Sequence, residues 1–317
     1  MEVKQFPIFS IILFKLDDFM HDSIMERNGG KLRITITMII FGTIGVVRRY
    51  IPYSSAMISF FRGFIAALIL LVLGLISKKK SDTEDIRRNL LPLIVSGAMI
   101  GVNWILLFEA YRFTTIAVAT ISYYMAPVFT IIASTFILKE RMTIRKAVCV
   151  AVALIGMVFV SGVIETGITG IRGVLLGLGA AFLYSGDVII NKKIKGVEGK
   201  DRTIIQMAAA ALTVLPYWLL TDNLAELTFG FQEIALLLVA CIVCTALPYS
   251  LYFSAIQVVK AQTAALLSYI DPIVAVLLSA LFLKEKMSTL TLIGIILVIG
   301  SALISETSKE NMNEYNP

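Results

Sequence analysis

The sequence predicts an all-α polytopic membrane protein with ten transmembrane helices, arranged as two inverted five-helix repeats. Of its 317 residues, 58% are hydrophobic and only 16% are charged, whereas about a quarter of the residues of a soluble domain are charged. From Ile34 to Ile304 the charged residues fall in clusters. The apolar stretches between these clusters are about 20 residues long, which is the length of a helix that crosses a bilayer. The third observation is an internal repeat, which appears when the chain is shifted by 145 residues.

Each predicted span is an apolar stretch bounded by charged or turn-forming residues. The connections between spans are short, so neighbouring helices are expected to run antiparallel. In chain order the predicted spans are 34–51, 54–77, 90–113, 115–138, 143–161, 170–190, 203–221, 233–254, 263–283 and 289–305.

The chain resembles itself when it is shifted by 145 residues, so that the segment starting at Phe108 lies over the segment starting at Phe253. Ten of the thirty-six paired positions are identical, and both segments contain Tyr-x-x-Pro followed by Lys-Glu-x-Met. Because five spans is an odd number, the second unit must enter the membrane in the opposite sense to the first. Inverted repeats of this kind are typical of secondary transporters.

The repeat divides the chain into four predicted segments: a tail at 1–30, repeats at 31–161 and 170–305, and a tail at 306–317. Lys and Arg in the tails, in the connections and at the ends of the spans number 21 on the side of both tails and 6 on the other side. Since positive residues are retained in the cytoplasm, both termini are predicted to be cytoplasmic, in a bacterial-type inner membrane.

The amino-terminal tail leaves two alternatives open. The apolar stretch from Phe6 to Phe14 is only nine residues long and lacks a small-residue cleavage site, which argues against a signal peptide. The tail is either an interfacial helix or an extension that precedes a true start at Met25.

The duplicated segments resemble the drug/metabolite transporter superfamily and, within it, the ten-helix EamA family. The resemblance covers most of the chain between Ile34 and Ser305, and one departure is Phe41-Gly42 where many members have Trp-Gly. It implies transport or export of amino acids or related small solutes through a central cavity lined by both repeats. The residues that carry the resemblance are Pro127-Val128, Pro272-Ile273, the Leu-Lys-Glu runs at 138–140 and 283–285, Arg62, Gly156, Gly294 and Gly300.

Charged side chains inside spans are candidate functional residues, because each costs at least about 2.5 kcal/mol in the hydrocarbon. Arg62 and Asp271 each lie eight positions inside a span, roughly 12 Å deep at the rise of an α-helix. Asp271 precedes Pro272, which opens the helical hydrogen-bond ladder. Asp271 is therefore predicted either to bind substrate or a proton, or to form an ion pair with Arg62 that stabilises packing.

Two further acidic residues have structural alternatives. Glu109 lies one turn before Arg112, the spacing of a helical surface pair. Asp187 lies four residues before Asn191, so it either lines an inner vestibule or extends toward the lysines that follow.

Several polar and aromatic residues inside spans are predicted to contact a solute, since aromatic faces with hydrogen-bonding tips bind organic molecules and amines. The alternative for each is ordinary helix packing. Together with Asp271, Arg62 and Asp187, the predicted substrate-binding or coupling residues are Asn103, Trp104, Tyr124, Tyr249 and Tyr269. The predicted hinge residues are Pro127, Pro272 and Pro248.

The sequence offers no recognisable catalytic or metal site. His21 is the single histidine, and Cys241-x-x-Cys244 lies in an apolar span without further ligands. No phosphate-binding motif is present, so transport would depend on gradients, with proton coupling as one option. No cofactor and no nucleic-acid partner are predicted. The alternatives to a carrier of small molecules are a lipid-modifying intramembrane enzyme and a non-transporting scaffold or sensor.

Overall fold

A computed structural model describes residues 23–76, 82–114, 119, 122–160, 163–166, 170–222, 230–283 and 288–306. Within these ranges the chain is helical and contains no strand. The helices are α1 (Ser23–Arg49), α2 (Ser55–Ile76), α3 (Thr83–Phe113), α4 (Ala126–Ile137), α5 (Ile144–Val160), α6 (Ile171–Lys193), α7 (Gly199–Thr221), α8 (Phe231–Ala255), α9 (Ala261–Leu267 continued by Ile270–Leu283) and α10 (Thr289–Glu306), with one helical turn at Val163–Thr166.

Seven of these helices are long and apolar enough to cross a membrane, judged by length and composition over the described residues. They are α1, α2, α3, α6, α7, α8 and α9. The apolar parts of α4 and α10, Ala126–Ile137 and Thr289–Ser301, are shorter. The prediction of an all-α polytopic membrane protein is therefore confirmed.

Helices α1, α3 and α7 begin at least four residues earlier than the sequence predicted. The start of α3 lies seven residues before the predicted span, and Asp82 caps it by accepting a hydrogen bond from the backbone N–H of Glu84 at 3.1 Å. Helix α1 begins at Ser23, inside the predicted tail 1–30. Hydropathy marks only the apolar part of a helix, so polar extensions are missed. Residues 1–22 and 307–317 lie outside the described residues. The two alternatives for the amino-terminal tail, an interfacial helix or an extension before Met25, therefore fall mostly outside them.

Turns occur at corresponding places of the two halves, directly before α4 and within α9. A turn at Tyr124 and Met125 precedes α4, and a turn at Ser268 and Tyr269 divides α9. The prolines predicted as hinges follow directly, because Pro127 lies in the first turn of α4 and Pro272 in the first turn of Ile270–Leu283. A proline is tolerated there because its missing N–H would have no helical acceptor. Both prolines thus start a helix, and the break precedes them.

The third predicted hinge, Pro248, lies in α8 directly after a π-helical turn at Ile242–Ala246. A π turn inserts one extra residue into a helix and often occurs at functional sites. The extra residue changes the face of α8 on which the preceding residues lie, and it therefore determines the direction in which Thr245 points.

The helices pack in pairs around a shared core. Helix α3 packs on α6 and α7, α2 on α7, α1 on α8 and α9, α4 on α6, and α5 on α10. The main buried cluster includes Met38, Ala66, Trp104, Val188 and Phe253, which come from five different helices. The core therefore lies between the two halves of the chain and is built by both.

Close contact between α3 and α7 depends on Gly97 and Gly101. A Cβ atom at Gly97 would lie 2.4 Å from the carbonyl oxygen of Gln206, and one at Gly101 would lie 2.8 Å from that of Ala210. The GxxxG motif of α3 thus brings two helix backbones together inside the bundle.

Gly97→Ala is expected to destabilise the protein by about 1–3 kcal/mol, because the added methyl group forces α3 away from α7. Gly300→Ala is the matched control, since a Cβ there meets no atom within 4 Å. Thermal unfolding in detergent measures both variants. Equal melting temperatures for Gly97→Ala and the wild type would contradict the contact between these helices.

Candidate functional site

Asp271 lies just after the break in α9, where its backbone N–H donates to the carbonyl of Ser268 at 3.3 Å. Among the described residues no side chain forms an ion pair or hydrogen bond with its carboxylate, and the residue is half-buried. Helix α1 passes close by, because a Cβ at Gly42 would lie 2.7 Å from the carbonyl oxygen of Asp271. The glycine therefore allows the backbone of α1 to approach the start of Ile270–Leu283 closely.

Aromatic rings surround this carboxylate. Tyr123, Tyr124 and Tyr249 lie within electrostatic range of Asp271. The ring of Tyr249 meets that of Phe41 edge-on at 5.0 Å between centroids. These rings are half-buried, so they retain surface that a solute could contact. We call the following six residues the aromatic cluster: Phe41, Trp104, Tyr123, Tyr124, Tyr184 and Tyr249.

The remaining members extend the cluster over α3 and α6. Tyr123 lies 5.6 Å from Tyr124 and 6.1 Å from Tyr184, both in edge-on geometry. Trp104 lies 6.4 Å from Tyr249. Helices of both halves therefore supply the rings, and Phe41 and Tyr184 were not among the predicted site residues.

Arg62 contacts Trp104 of the cluster and does not pair with Asp271. Its Nε donates to Thr245 Oγ1 at 2.8 Å, and its guanidinium carbon lies 4.7 Å from the centre of the Trp104 ring. Cation–π contact with a buried Trp can contribute about 2 kcal/mol. The expected alternative of an Arg62–Asp271 ion pair is therefore wrong in this structure, since Thr245 and Trp104 bind the guanidinium.

The arrangement provides a negative group and a positive group that both act on Tyr249 of the aromatic cluster. Such a site can bind a small zwitterion, with an ammonium at Asp271, an anionic group at Arg62 and its body between the rings. Because the Asp271 carboxylate has no partner among the described side chains, it is available to a ligand.

Two predicted site residues are structural. Tyr269 is fully buried, and its hydroxyl donates to the backbone carbonyl of Tyr124 at 3.4 Å. Asn103 is buried and donates through Nδ2 to the carbonyl of Ala180 at 2.6 Å, which joins α3 to α6. The Tyr269 hydroxyl is therefore occupied in this conformation, whereas the Asn103 side chain also hydrogen-bonds that of Tyr123 and so borders the aromatic cluster.

Asp187 neither lines an open vestibule nor extends toward the lysines. It is 3% exposed and accepts hydrogen bonds from Ser96 Oγ and, at 2.8 Å, from Asn191 Nδ2. Gln206 Nε2 donates to Ser96 Oγ at 2.7 Å and to Asn191 Oδ1 at 2.9 Å. With Arg202, these residues form what we call the polar network.

Arg202 is fully buried in α7, although the sequence placed it in a loop. Its Nη atoms donate to the carbonyls of Asn191, Ile194 and Val197 at 2.9, 3.2 and 3.1 Å, which caps the end of α6. The prediction was wrong because α7 begins at Gly199. The spacing of Arg202 and Gln206, one turn apart in an alanine-rich helix, is the signal that could have revealed the network.

The two ends of the bundle differ in charge. The basic end is defined by Arg87 and Arg88 at the start of α3, Lys192 and Lys193 at the end of α6, and Lys200 at the start of α7. The polar network lies toward this end. At the opposite end Glu109 forms the predicted pair with Arg112 at 3.0 Å and also accepts a hydrogen bond from Tyr217.

Comparison with known proteins agrees with this architecture. A 16% identical chain of solved structure superposes with a TM-score of 0.77, covering 87% of this chain and 96% of that chain, which shows the fold. A Bacillus subtilis (strain 168) protein named as an uncharacterized transporter, YxxF, is 22% identical over 90% of this chain and 93% of its own length. A Salmonella typhimurium protein named as a probable amino-acid metabolite efflux pump is 26% identical over 56% of this chain and 62% of its own length.

The sequence model of the EamA-like transporter family matches this chain twice, over residues 29–162 and 171–307. The two matches include all helices from α1 to α10 almost completely. The chain therefore belongs to the EamA-like transporter family, within the drug/metabolite transporter superfamily, as the duplicated Pro-containing segments indicated.

Proposed function

We propose that this protein carries amino acids or related small metabolites across the inner membrane, as a secondary or facilitative exporter. The observation that supports this most strongly is the aromatic cluster, which lies close to Asp271 and whose Trp104 contacts Arg62. An ammonium and a carboxylate on one small molecule would complement these two charges. The name of the Salmonella typhimurium relative, a probable amino-acid metabolite efflux pump, agrees with this choice of solute.

Transport would proceed by alternating access between two inverted repeats, residues 31–161 and 170–305. The two separate family matches support this division. The helix pairs also agree with it, because the contact of α1 with α9 has its counterpart in the contact of α6 with α4. The two interrupted helices meet where the Tyr269 hydroxyl bonds to Tyr124, and these are paired positions of the sequence repeat.

In this proposal the basic end faces the cytoplasm, together with both termini, in agreement with the distribution of Lys and Arg. The solute would leave the aromatic cluster toward the opposite end. The free energy would come from solute or proton gradients.

The experiment is uptake and efflux with purified protein in liposomes. A panel of radiolabelled amino acids, monoamines and monocarboxylates is tested one compound at a time. We expect saturable flux for compounds that carry both an amino and a carboxyl group, and at least tenfold less for those that carry one. Flux of none of the zwitterions would reject the proposed substrate class, and would favour the scaffold or enzyme alternatives.

A further inference from the structure

Among the residues that the structure describes, no cation contacts the Asp187 carboxylate of the polar network. Asp187 receives its hydrogen bonds from Ser96 and Asn191, which are neutral donors. Arg202 is the nearest positive charge that acts on it, but the Nη atoms of Arg202 are bound to backbone carbonyls. A carboxylate held in this way inside a membrane protein is costly unless it has a function.

The network can accommodate one more proton. Gln206 Oε1 is buried without a hydrogen-bond partner, so the network has an unused acceptor. Ser96 Oγ donates to Asp187 and accepts from Asn191 and Gln206. If the carboxyl of Asp187 were protonated it would become a donor, and the rotating Ser96 hydroxyl could turn toward another acceptor. The same side chains can therefore satisfy both protonation states.

Tyrosine side chains lie near both this carboxylate and the aromatic cluster. Tyr184 lies one turn before Asp187 on α6, and its side chain interacts with that of Tyr252. Tyr249 is within electrostatic range of both Asp187 and Asp271. The buried Asp187 and the half-buried Asp271 therefore share Tyr249 as a neighbour.

The titratable and charged groups that face Asp187 come from three helices. They are Tyr184 on α6, Arg202 on α7, and Tyr249 and Tyr252 on α8. Helix α3 contributes the hydroxyl of Ser96. Within the described residues no other acid faces this carboxylate, so its change of charge would not be masked by a neighbouring carboxyl.

We propose that Asp187, held by Ser96 and Asn191 within the polar network, is a reversible proton-binding site that is charged in one state of the protein and neutral in the other. On protonation, an acid of the surrounding medium gives up a proton and an O–H bond forms on a carboxylate oxygen of Asp187; on release that bond breaks and the proton returns to the medium. No other reactant is required. The role in coupling rests on the proposed transport function, whereas proton binding by Asp187 can be tested separately.

The test uses infrared difference spectroscopy of the purified full chain in nanodiscs, comparing acidic with alkaline buffer. We expect a carboxyl C=O band that titrates in the wild type and is lost in Asp187→Asn. Glu109→Gln, which removes a carboxyl at the opposite end, is the matched control and should retain the band. An Asp187→Asn spectrum identical to the wild type across the pH range would overturn the proposal.

A second variant covers the case in which Asp187→Asn fails to fold. Ser96→Ala keeps the carboxyl but removes one of its donors, so the pH at which the Asp187 band titrates should shift relative to the wild type. An unshifted band would reject the assignment. If no solute of the panel is carried while the Asp187 band still titrates, the proposed function fails and the proton site remains.

Discussion

Replacing Asp271 with asparagine is expected to lower solute flux by about 10- to 100-fold while the protein still inserts and purifies monodisperse. The estimate corresponds to losing one hydrogen bond to a charged group, about 1.5–3 kcal/mol. The fold should tolerate the change, because the carboxylate has no described side-chain partner to lose. Flux into liposomes, divided by the amount of inserted protein, measures the effect.

Glu109→Gln is the control for this experiment. It also removes a membrane-embedded carboxyl, but one that is paired with Arg112 and Tyr217 away from the aromatic cluster. We expect this variant to lose some stability and to retain its flux. Wild-type flux in a stable Asp271→Asn protein would show that the carboxylate contacts neither substrate nor a coupling proton.

The sequence reveals the helices because apolar length is a strict requirement in a bilayer. Each helix of spanning length coincides with a predicted span. The interrupted helices were also foreseeable, since Pro127 and Pro272 lack an N–H and mark the repeat. The exact starts of α1 and α3 could not be predicted, because the first turns of these helices are polar and lie outside the apolar stretch that marks a span.

The partners inside the site could not be predicted in the same way. Arg62 binds Thr245 because a π turn places that residue toward α2, and a one-residue insertion leaves no mark on hydropathy. Tyr124 and Tyr269 are paired in the repeat, yet the first remains half-buried and the second is fully buried. Burial of individual members of a repeat depends on packing between the halves, which periodicity does not encode.

A reversible cross-link between α1 and α8 is expected to abolish flux, and it tests the proposed movement of the halves. Thr43 Oγ1 lies 3.4 Å from Cys244 Sγ, so Thr43→Cys should form a disulfide with the native Cys244. Cys149 and Cys241 are first replaced by alanine to leave one pair. Oxidation should reduce flux to the level of empty liposomes, and a reductant should restore it.

The reason for this large effect is that α1 and α8 belong to different proposed repeats. Alternating access requires the repeats to move relative to each other around the substrate site, and a disulfide fixes the distance between the two sulfur atoms. Thr43→Cys combined with Cys244→Ser carries the same change without a cross-link, and its flux should be insensitive to oxidation. If the oxidised protein instead transports at the rate of the reduced protein, α1 and α8 remain together throughout the cycle, and the movement must occur between other helices.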